Sequence, residues 1–287
     1  GKLLVRLDPD LDWFEMLERS GRVPLPPYIR DGQMTEIDRQ RYQTVYARHP
    51  GSVAAPTAGL HLTEDLLQKI RSVGVALVSV TLHVGLGTFR PVQVSSLDEH
   101  TMHTEWAQIQ GNVVRRLLSA RAEGGRILAV GTTTVRTLET AALKGNGKLC
   151  EWTGETDLFI RPGHRFAAVD RMLTNFHLPR STLLVLVSTF ATRELMLEAY
   201  RKAVEEKYRF FSYGDCMLIL LRKVRHDEFD WFKPQAERWN EPFSMAGFGH
   251  RRCELEGGAH PRLDALGALP DVARGQSTRP AFGETPR

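Results

Sequence analysis

Four stretches of the sequence place polar side chains beside an apolar run, where an α/β fold could bind a ligand. TLHVGLGTFRPV and AVGTTTVRTLE each follow a predicted strand, whereas LTNFHLPRSTLL and SYGDCMLIL precede an apolar run. Ligands of α/β sheets bind outside the carboxyl ends of the strands, so these stretches are the first candidates for a functional site. Among the polar and aromatic side chains of these stretches, the main candidates are His83, Thr132, Thr133, Arg136, Asn175, His177, Tyr213 and Asp215.

The stretch GTTTVR is consistent with two kinds of local structure. Thr132 or Thr133 could simply cap the helix that follows. Alternatively, backbone amides and hydroxyls at this helix N-terminus could face an anion, with Arg136 in the first turn. The glycines of GLGTF do not complete a dinucleotide-binding fingerprint, and a simple turn explains them equally well.

The spacing of the histidines is only a weak signal for a metal site. His100 and His103 in HTMHTEW are three residues apart, which can suit a metal, but the sequence offers no convincing third ligand nearby. His177 is consistent with a buried core histidine as well as with a catalytic one. No phosphate-binding loop, nucleophile elbow or HExxH motif is present.

The segment VEEKYRFFSYGDCMLIL brings several aromatic residues to a turn before an apolar run. Tyr208, Phe210, Phe211 and Tyr213 precede Asp215. Such rings usually pack in a core, but rings beside a carboxylate can also stack on a base or face a cation. Both interpretations apply to these residues.

Periodicity predicts strands that alternate with helices. A strand at residues 3–7 precedes a helix in DLDWFEMLERSG, and a helix capped by Thr63 precedes a strand at 75–85 that is apolar on both faces. Further on, the predicted elements are a helix in NVVRRLLSARAEGG, a strand, turn and helix in RILAVGTTTVRTLETAA, a helix in RELMLEAYRKAVEEKY and a strand in CMLILL. This alternation predicts an α/β fold.

Composition and charge narrow the class of protein. With 42% hydrophobic and 25% charged residues and no run of 18 apolar residues, the 287-residue chain is typical of a globular protein outside the membrane. Its three cysteines match no zinc or disulfide spacing, and no signal peptide opens the chain, which favours a cytoplasmic location.

The whole net charge of +4 lies in residues 1–222, a mild excess that permits a nucleic-acid partner without implying one. Residues 242–287 hold seven glycines and five prolines without periodicity, which predicts disorder.

Taken together and in order, the motifs resemble one known family. The chain is similar over about residues 1–222 to the S-adenosylmethionine:tRNA ribosyltransferase-isomerases of queuosine synthesis. The stretches that carry the resemblance are PLPPYIR, RYQTVYARHPGSVAAPTAGLHLT, TLHVGLGTFRPV, HTMHTEW, ILAVGTTTVRTLE, LTNFHLPRSTLLVLVSTFA and AVEEKYRFFSYGDCMLI.

The resemblance implies an activity and its partners. The family moves the ribosyl part of S-adenosylmethionine onto 7-aminomethyl-7-deazaguanine in the tRNA anticodon and isomerises it, giving epoxyqueuosine and releasing adenine and methionine. S-adenosylmethionine is then a consumed substrate and no cofactor is expected. We further expect a monomer without membrane contact.

The resemblance also implies a fold, a three-layer α/β/α sandwich with an inserted small β-barrel. We expect residues 1–30 to be the remnant of the barrel and its return linker, 31–222 the catalytic domain, and 223–287 a tail foreign to the family. The chain would then be truncated at its N-terminus. An alternative is therefore a non-catalytic remnant that at most binds tRNA, and a metal-dependent hydrolase is a third, weaker alternative.

The implied chemistry assigns roles to the polar residues. The carbon beside the sulfonium must lose a proton to a base, and a histidine is unprotonated near neutral pH at its ordinary pKa of about 6.5. We expect His103 or His177 to be this base, ahead of His83 and Glu105, and Asp215 to be an electrostatic partner of the cation. The expected substrate-binding residues are His83, Thr132, Thr133, Arg136, Asn175 and Tyr213.

Overall fold

The protein is a mixed α/β structure with two small sheets. The computed structural model describes residues 12–85, 94 and 96–220. The strand predicted at residues 3–7 and the tail predicted from residue 223 lie outside these described residues. None of the described helices is both long and apolar enough to cross a membrane.

Seven α-helices follow one another along the described chain. Side-chain caps explain where several of them begin: Asp12 accepts a hydrogen bond from the Phe14 N–H at 2.7 Å, and Thr63 accepts one from the Leu66 N–H at 3.2 Å. The helices are α1 (Trp13–Ser20), α2 (Glu36–Arg41), α3 (Glu64–Ser72), α4 (Gly111–Ala122), α5 (Thr132–Lys144), α6 (Thr182–Phe190) and α7 (Arg193–Glu205).

Six strands form two three-stranded sheets among the described residues. One sheet has the order β1-β2-β4 and is antiparallel throughout, and the other has the order β3-β5-β6. The strands are β1 (Thr81–His83), β2 (Glu105–Ile109), β3 (Leu128–Val130), β4 (Trp152–Thr156), β5 (Arg171–Asn175) and β6 (Cys216–Leu220).

The direction of the strands in the second sheet determines where a site can form. β3 runs parallel to β5, whereas β6 runs antiparallel to β5. The carboxyl ends of β3 and β5 therefore lie at the same edge as the amino end of β6. This explains why SYGDCMLIL places its polar turn before its strand instead of after it.

Helix α5 connects the two sheets, since it contacts strands of both. Its apolar residues Val135, Leu138 and Ala142 are buried in the main hydrophobic core. The Glu139 carboxylate is also buried and accepts backbone hydrogen bonds from residues 167–169 at 2.9–3.0 Å. These contacts fix the position of the helix and so of its N-terminus.

The strand predicted at 75–85 was wrong in length and in pairing. Strand structure covers Thr81–His83 alone and is antiparallel to β2, while Val75 and Leu77 are exposed. A strand extends only as far as a neighbouring strand pairs with it, and β2 pairs with three residues of this segment. The apolar pattern on both faces did not reveal that limit.

The apolar run at 181–191 forms α6, because Ser181 caps it by accepting a hydrogen bond from the Leu184 N–H at 3.1 Å.

Candidate functional site

A pocket of about 180 Å³ lies where β3 and β5 end and β6 begins. The Gly131 N–H donates to the Leu173 carbonyl at 2.8 Å, which holds the β3–α5 turn against β5. The pocket is therefore at the edge of the sheet where α/β proteins bind ligands.

Four of the predicted site residues meet in this pocket, namely Thr132, Thr133, Asn175 and His177. The rest of the lining comes partly from these candidate stretches and partly from segments that sequence reasoning did not assign to the site, namely Tyr28 and residues 55–58. The further lining residues are Tyr28, Ala55, Pro56, Thr57, Ala58, Val84, Val130, Gly131, Thr134, Thr174, Phe176, Leu178, Pro179, Ser181, Leu183, Phe211 and Ser212.

The N-terminus of α5 opens on the pocket without a side-chain cap. Gly131 precedes the helix with φ +90°, a conformation that strains any residue with a Cβ. Thr134 donates from its hydroxyl to the Val130 carbonyl at 2.8 Å, whereas the Thr132 and Thr133 hydroxyls have no partner among the described residues. Backbone N–H groups at such a helix end favour an anion.

Asn175 links the pocket to the turn before β6. It is 3% exposed, and its Nδ2 donates to the carbonyls of Phe211 at 2.8 Å and Ser212 at 3.3 Å. Its Oδ1 has no hydrogen-bond partner within the described part of the chain. An unpartnered acceptor at this burial costs free energy unless a water or ligand contacts it.

His177 is buried in the pocket wall and is held at two points. Its Nε2 lies 2.9 Å from the Thr174 hydroxyl, and its backbone N–H donates to the Tyr200 hydroxyl at 2.6 Å. Burial lowers the pKa of His177 to about 3. The ring is thus neutral at neutral pH and weakly basic, which counts against the predicted role as base, although that role remains a prediction.

Sequence reasoning missed His61, which adjoins the site beside Asn175. Its Nε2 is buried and has no hydrogen-bond partner in the described segments. Burial lowers the pKa of His61, while the Asn175 side chain and the Asp215 carboxylate favour its protonated form. The signal that could have found it is its position in PTAGLHLT, one of the stretches that carry the family resemblance.

Asp215 is not among the residues that line the pocket. Its carboxylate accepts hydrogen bonds from the Arg209 backbone N–H at 2.7 Å and from the Arg209 guanidinium at 2.9 Å. Burial opposes ionisation, but these hydrogen bonds outweigh it and hold the pKa of Asp215 below its ordinary value. Asp215 is therefore a paired carboxylate, and its predicted contact with a substrate cation is untested.

The aromatic residues after α7 divide between core and pocket. Phe210 packs with Phe176 and Tyr200 in a hydrophobic cluster, whereas Phe211 lines the pocket. Tyr208 is 49% exposed. Tyr213, predicted to bind substrate, lies outside the lining and donates to the Asp38 carboxylate at 2.9 Å.

Arg136 is buried in a different environment from the predicted one. It is 2% exposed, forms an ion pair with Glu105, and donates to the carbonyls of Leu158 at 3.0 Å and Thr156 at 3.2 Å. Burial lowers its pKa, and the neighbouring carboxylates of Glu105 and Asp157 oppose that shift. This packing gives Arg136 protein partners in place of the anion predicted beside the α5 N-terminus.

The two remaining candidates lie away from the pocket lining. The His83 ring packs on Trp106 with centroids 4.8 Å apart, and its buried Nε2 has no partner among the described residues. His103 is exposed, and its backbone carbonyl accepts a long hydrogen bond from Arg136 at 3.4 Å. Within the described residues, no group of three His, Cys, Asp or Glu side chains could hold a metal ion.

Comparison with known proteins matches the chain to a protein family and to solved structures. The family model described as queuosine biosynthesis protein matches residues 1–219. One similar protein of known structure is S-adenosylmethionine tRNA ribosyltransferase from Thermotoga maritima, whose crystal structure aligns with this chain at 48% sequence identity and a TM-score of 0.47. The alignment covers 57% of this chain and 51% of the Thermotoga maritima chain. The chain thus spans about half the length of that protein. Because the family model covers well over half of the 287 residues, the chain belongs to the family of queuosine biosynthesis proteins.

Proposed function

We propose that the protein transfers and isomerises the ribosyl moiety of S-adenosylmethionine onto 7-aminomethyl-7-deazaguanine in tRNA. The products are epoxyqueuosine in the tRNA, adenine and methionine. Membership of the family supports this proposal, and the pocket at the edge of the β3-β5-β6 sheet carries it. The pocket is built largely from the stretches that resemble the family, including PTAGLH, GTTT, TNFHLP and FFS.

The pocket offers complementary groups for the two polar ends of S-adenosylmethionine. The uncapped N-terminus of α5, with the Thr132 and Thr133 hydroxyls, suits the methionine carboxylate, because backbone N–H groups and the helix dipole favour an anion there. The Asn175 Oδ1 is an acceptor that suits an ammonium or an adenine amino group. In this proposal S-adenosylmethionine is consumed as a substrate and no cofactor takes part.

The base that removes the proton beside the sulfonium remains one of several candidates. His177 lines the pocket but is weakly basic, His103 is exposed outside the lining, and Asp215 is paired with Arg209. His61 joins them, because it contacts the Asn175 side chain and its Nε2 has no partner in the described part of the chain. Variants His61→Ala, His103→Ala, His177→Ala and Asp215→Asn separate them, since loss of the base abolishes turnover while S-adenosylmethionine still binds.

The finer architecture belongs to the same proposal. We place residues 31–222 in a three-layer α/β/α sandwich, residues 1–30 in the remnant of an inserted β-barrel and its linker, and residues 223–287 in a tail outside the family. The parallel pairing of β3 and β5 supports the sandwich, because parallel strands are usually covered by helices on both faces. We further propose a cytoplasmic monomer that contacts the tRNA anticodon region, consistent with the net positive charge of residues 1–222.

The test is release of adenine from S-adenosylmethionine in the presence of tRNA that carries 7-aminomethyl-7-deazaguanine. The matched control is the same tRNA with guanine at that position, which lacks the amine that receives the ribosyl group. We expect adenine release with the first tRNA and background release with the second. Binding of both tRNAs without adenine release from either would support the non-catalytic remnant and refute the proposal.

A further inference from the structure

Phe211 holds an unusual backbone conformation at the pocket. Its φ is +73°, in the left-handed region that bulky side chains avoid. Three hydrogen bonds fix it: its N–H donates to the Phe176 carbonyl at 3.1 Å, and its carbonyl accepts from Asn175 Nδ2 at 2.8 Å and from the Gly214 N–H at 3.1 Å. Strain that surrounding bonds impose in this way concentrates at functional sites.

The Phe211 ring forms a corner with the ring of Tyr28. The two centroids are 5.1 Å apart and the ring planes are tilted by 54°. Both residues line the pocket, and the Tyr28 hydroxyl lies 2.6 Å from the Ser212 hydroxyl, which anchors the second ring to the same turn. At this distance the two rings pack on each other, so Tyr28 and Phe211 together form one aromatic part of the pocket lining.

The other described lining residues offer no negative charge to a cation. They are aliphatic, hydroxyl, amide and aromatic side chains together with His177, whose lowered pKa keeps it neutral. The nearby Asp215 is paired with Arg209 and does not line the pocket. Aromatic faces attract a cation through the ring quadrupole, and this attraction grows when the cation is desolvated.

We propose that the Tyr28–Phe211 corner holds the positively charged sulfonium of S-adenosylmethionine and thereby selects it over the neutral thioether S-adenosylhomocysteine. This inference rests on the proposed function, because it takes S-adenosylmethionine as the ligand of the pocket. The sequence had suggested this contact for Asp215 and the rings of residues 208–213, and the inference narrows it to Phe211 with Tyr28.

The test compares the dissociation constants of S-adenosylmethionine and S-adenosylhomocysteine by calorimetry, with the full chain and its variants. We expect Tyr28→Leu and Phe211→Leu each to weaken binding of the sulfonium by roughly 2- to 30-fold while binding of the thioether stays nearly constant. Tyr28→Phe and Phe211→Tyr keep the rings and are the matched controls. We expect both controls to retain the preference for the sulfonium.

The outcomes separate this inference from the proposed function. Equal loss of both ligands in the leucine variants, or a wild-type chain that binds both equally, overturns the aromatic corner while S-adenosylmethionine binding still supports the function. A wild-type chain that binds neither ligand overturns both. If Phe211→Leu fails to fold, as circular dichroism would show, Tyr28→Leu decides the matter alone.

Discussion

The first two turns of α5 use polar residues in opposite ways. The threonine pocket, which we define as Thr132 and Thr133 with Asn175 and His177, leaves polar atoms open beside a cavity. The Arg136 cluster, which consists of Arg136, Glu105 and Thr156, does not line this cavity, and its guanidinium contacts protein acceptors. Thr132 and Arg136 are four residues apart in the sequence.

The comparison of the threonine pocket with the Arg136 cluster shows which structural observation distinguishes a ligand-binding residue from a stabilising one. Both regions are buried and both lie beside strand ends, so burial and position do not distinguish them. The difference is that partners from the protein satisfy the Arg136 cluster, while the threonine pocket presents an uncapped helix end and the unpartnered Asn175 Oδ1. Native structures rarely leave such groups without a partner unless a ligand or water contacts them.

The largest expected effect is loss of stability when Arg136 is replaced by methionine. The change leaves the Glu105 carboxylate buried without its counterion, and breaking a buried ion pair on one side costs about 3–5 kcal/mol. Denaturant unfolding measures the effect, with Arg116→Met on the exposed face of α4 as the control. A nearly unchanged unfolding free energy with weaker S-adenosylmethionine binding would restore the anion-binding role predicted for Arg136.

The next effect is on the pH dependence of stability, through His177. Its pKa is about 3 in the folded protein against an ordinary 6.5, so between these values the unfolded chain binds a proton that the folded chain does not. The His177 contribution therefore destabilises the fold as pH falls, by about 1.4 kcal/mol for each pH unit within that window.

The matched variant is His177→Gln, which keeps a polar group beside Thr174 without a titrating ring. Unfolding free energies measured from about pH 6 to pH 4 should fall less steeply for the variant than for the wild type. Identical slopes would mean that His177 is not buried as a neutral ring, and its candidacy as base would gain weight.

Much of the fold was predictable from local sequence signals. The helix in DLDWFEMLERSG, the helix capped by Thr63, the turn at Gly131 and the strand in CMLILL were all confirmed, because caps, glycines and periodicity act over a few residues. The strand at 75–85 was wrong in extent, because its length depends on pairing with β2, which lies more than twenty residues further along the chain. The family resemblance was confirmed by the match over residues 1–219.

The site was harder to predict than the fold. Thr132, Thr133, Asn175 and His177 meet because β3 and β5 are parallel, and the sequence indicated that kind of edge. Tyr28 and His61 were missed, since they come from segments far away in the sequence whose approach depends on tertiary packing. Thr133 lines the pocket and Arg136 pairs with Glu105 because the two side chains point in different directions around α5. The periodicity of one helix does not reveal which part of the protein packs against each of its faces.

A smaller expected effect tests the threonine pocket directly. Thr133→Val keeps the shape of the side chain and removes a hydroxyl that has no partner among the described residues. We expect S-adenosylmethionine to bind roughly 2- to 10-fold more weakly, the value of one net hydrogen bond, with no measurable change in unfolding free energy. Loss of stability without loss of binding would place Thr133 with the Arg136 cluster instead.

The smallest expected effect comes from the neighbouring Thr134→Val, which is also the control for Thr133→Val. The Thr134 hydroxyl donates to the Val130 carbonyl at 2.8 Å, so it already has a partner at the end of β3. We expect a loss of about 1 kcal/mol in unfolding free energy, because one intramolecular hydrogen bond disappears, and an unchanged dissociation constant for S-adenosylmethionine. Of these two adjacent threonines, Thr133 would then contribute to ligand binding and Thr134 to stability. If Thr134→Val weakens S-adenosylmethionine binding as much as Thr133→Val does, the whole first turn of α5 contributes to binding. A hydrogen bond of a threonine hydroxyl within the protein would then not distinguish a stabilising residue from a binding one.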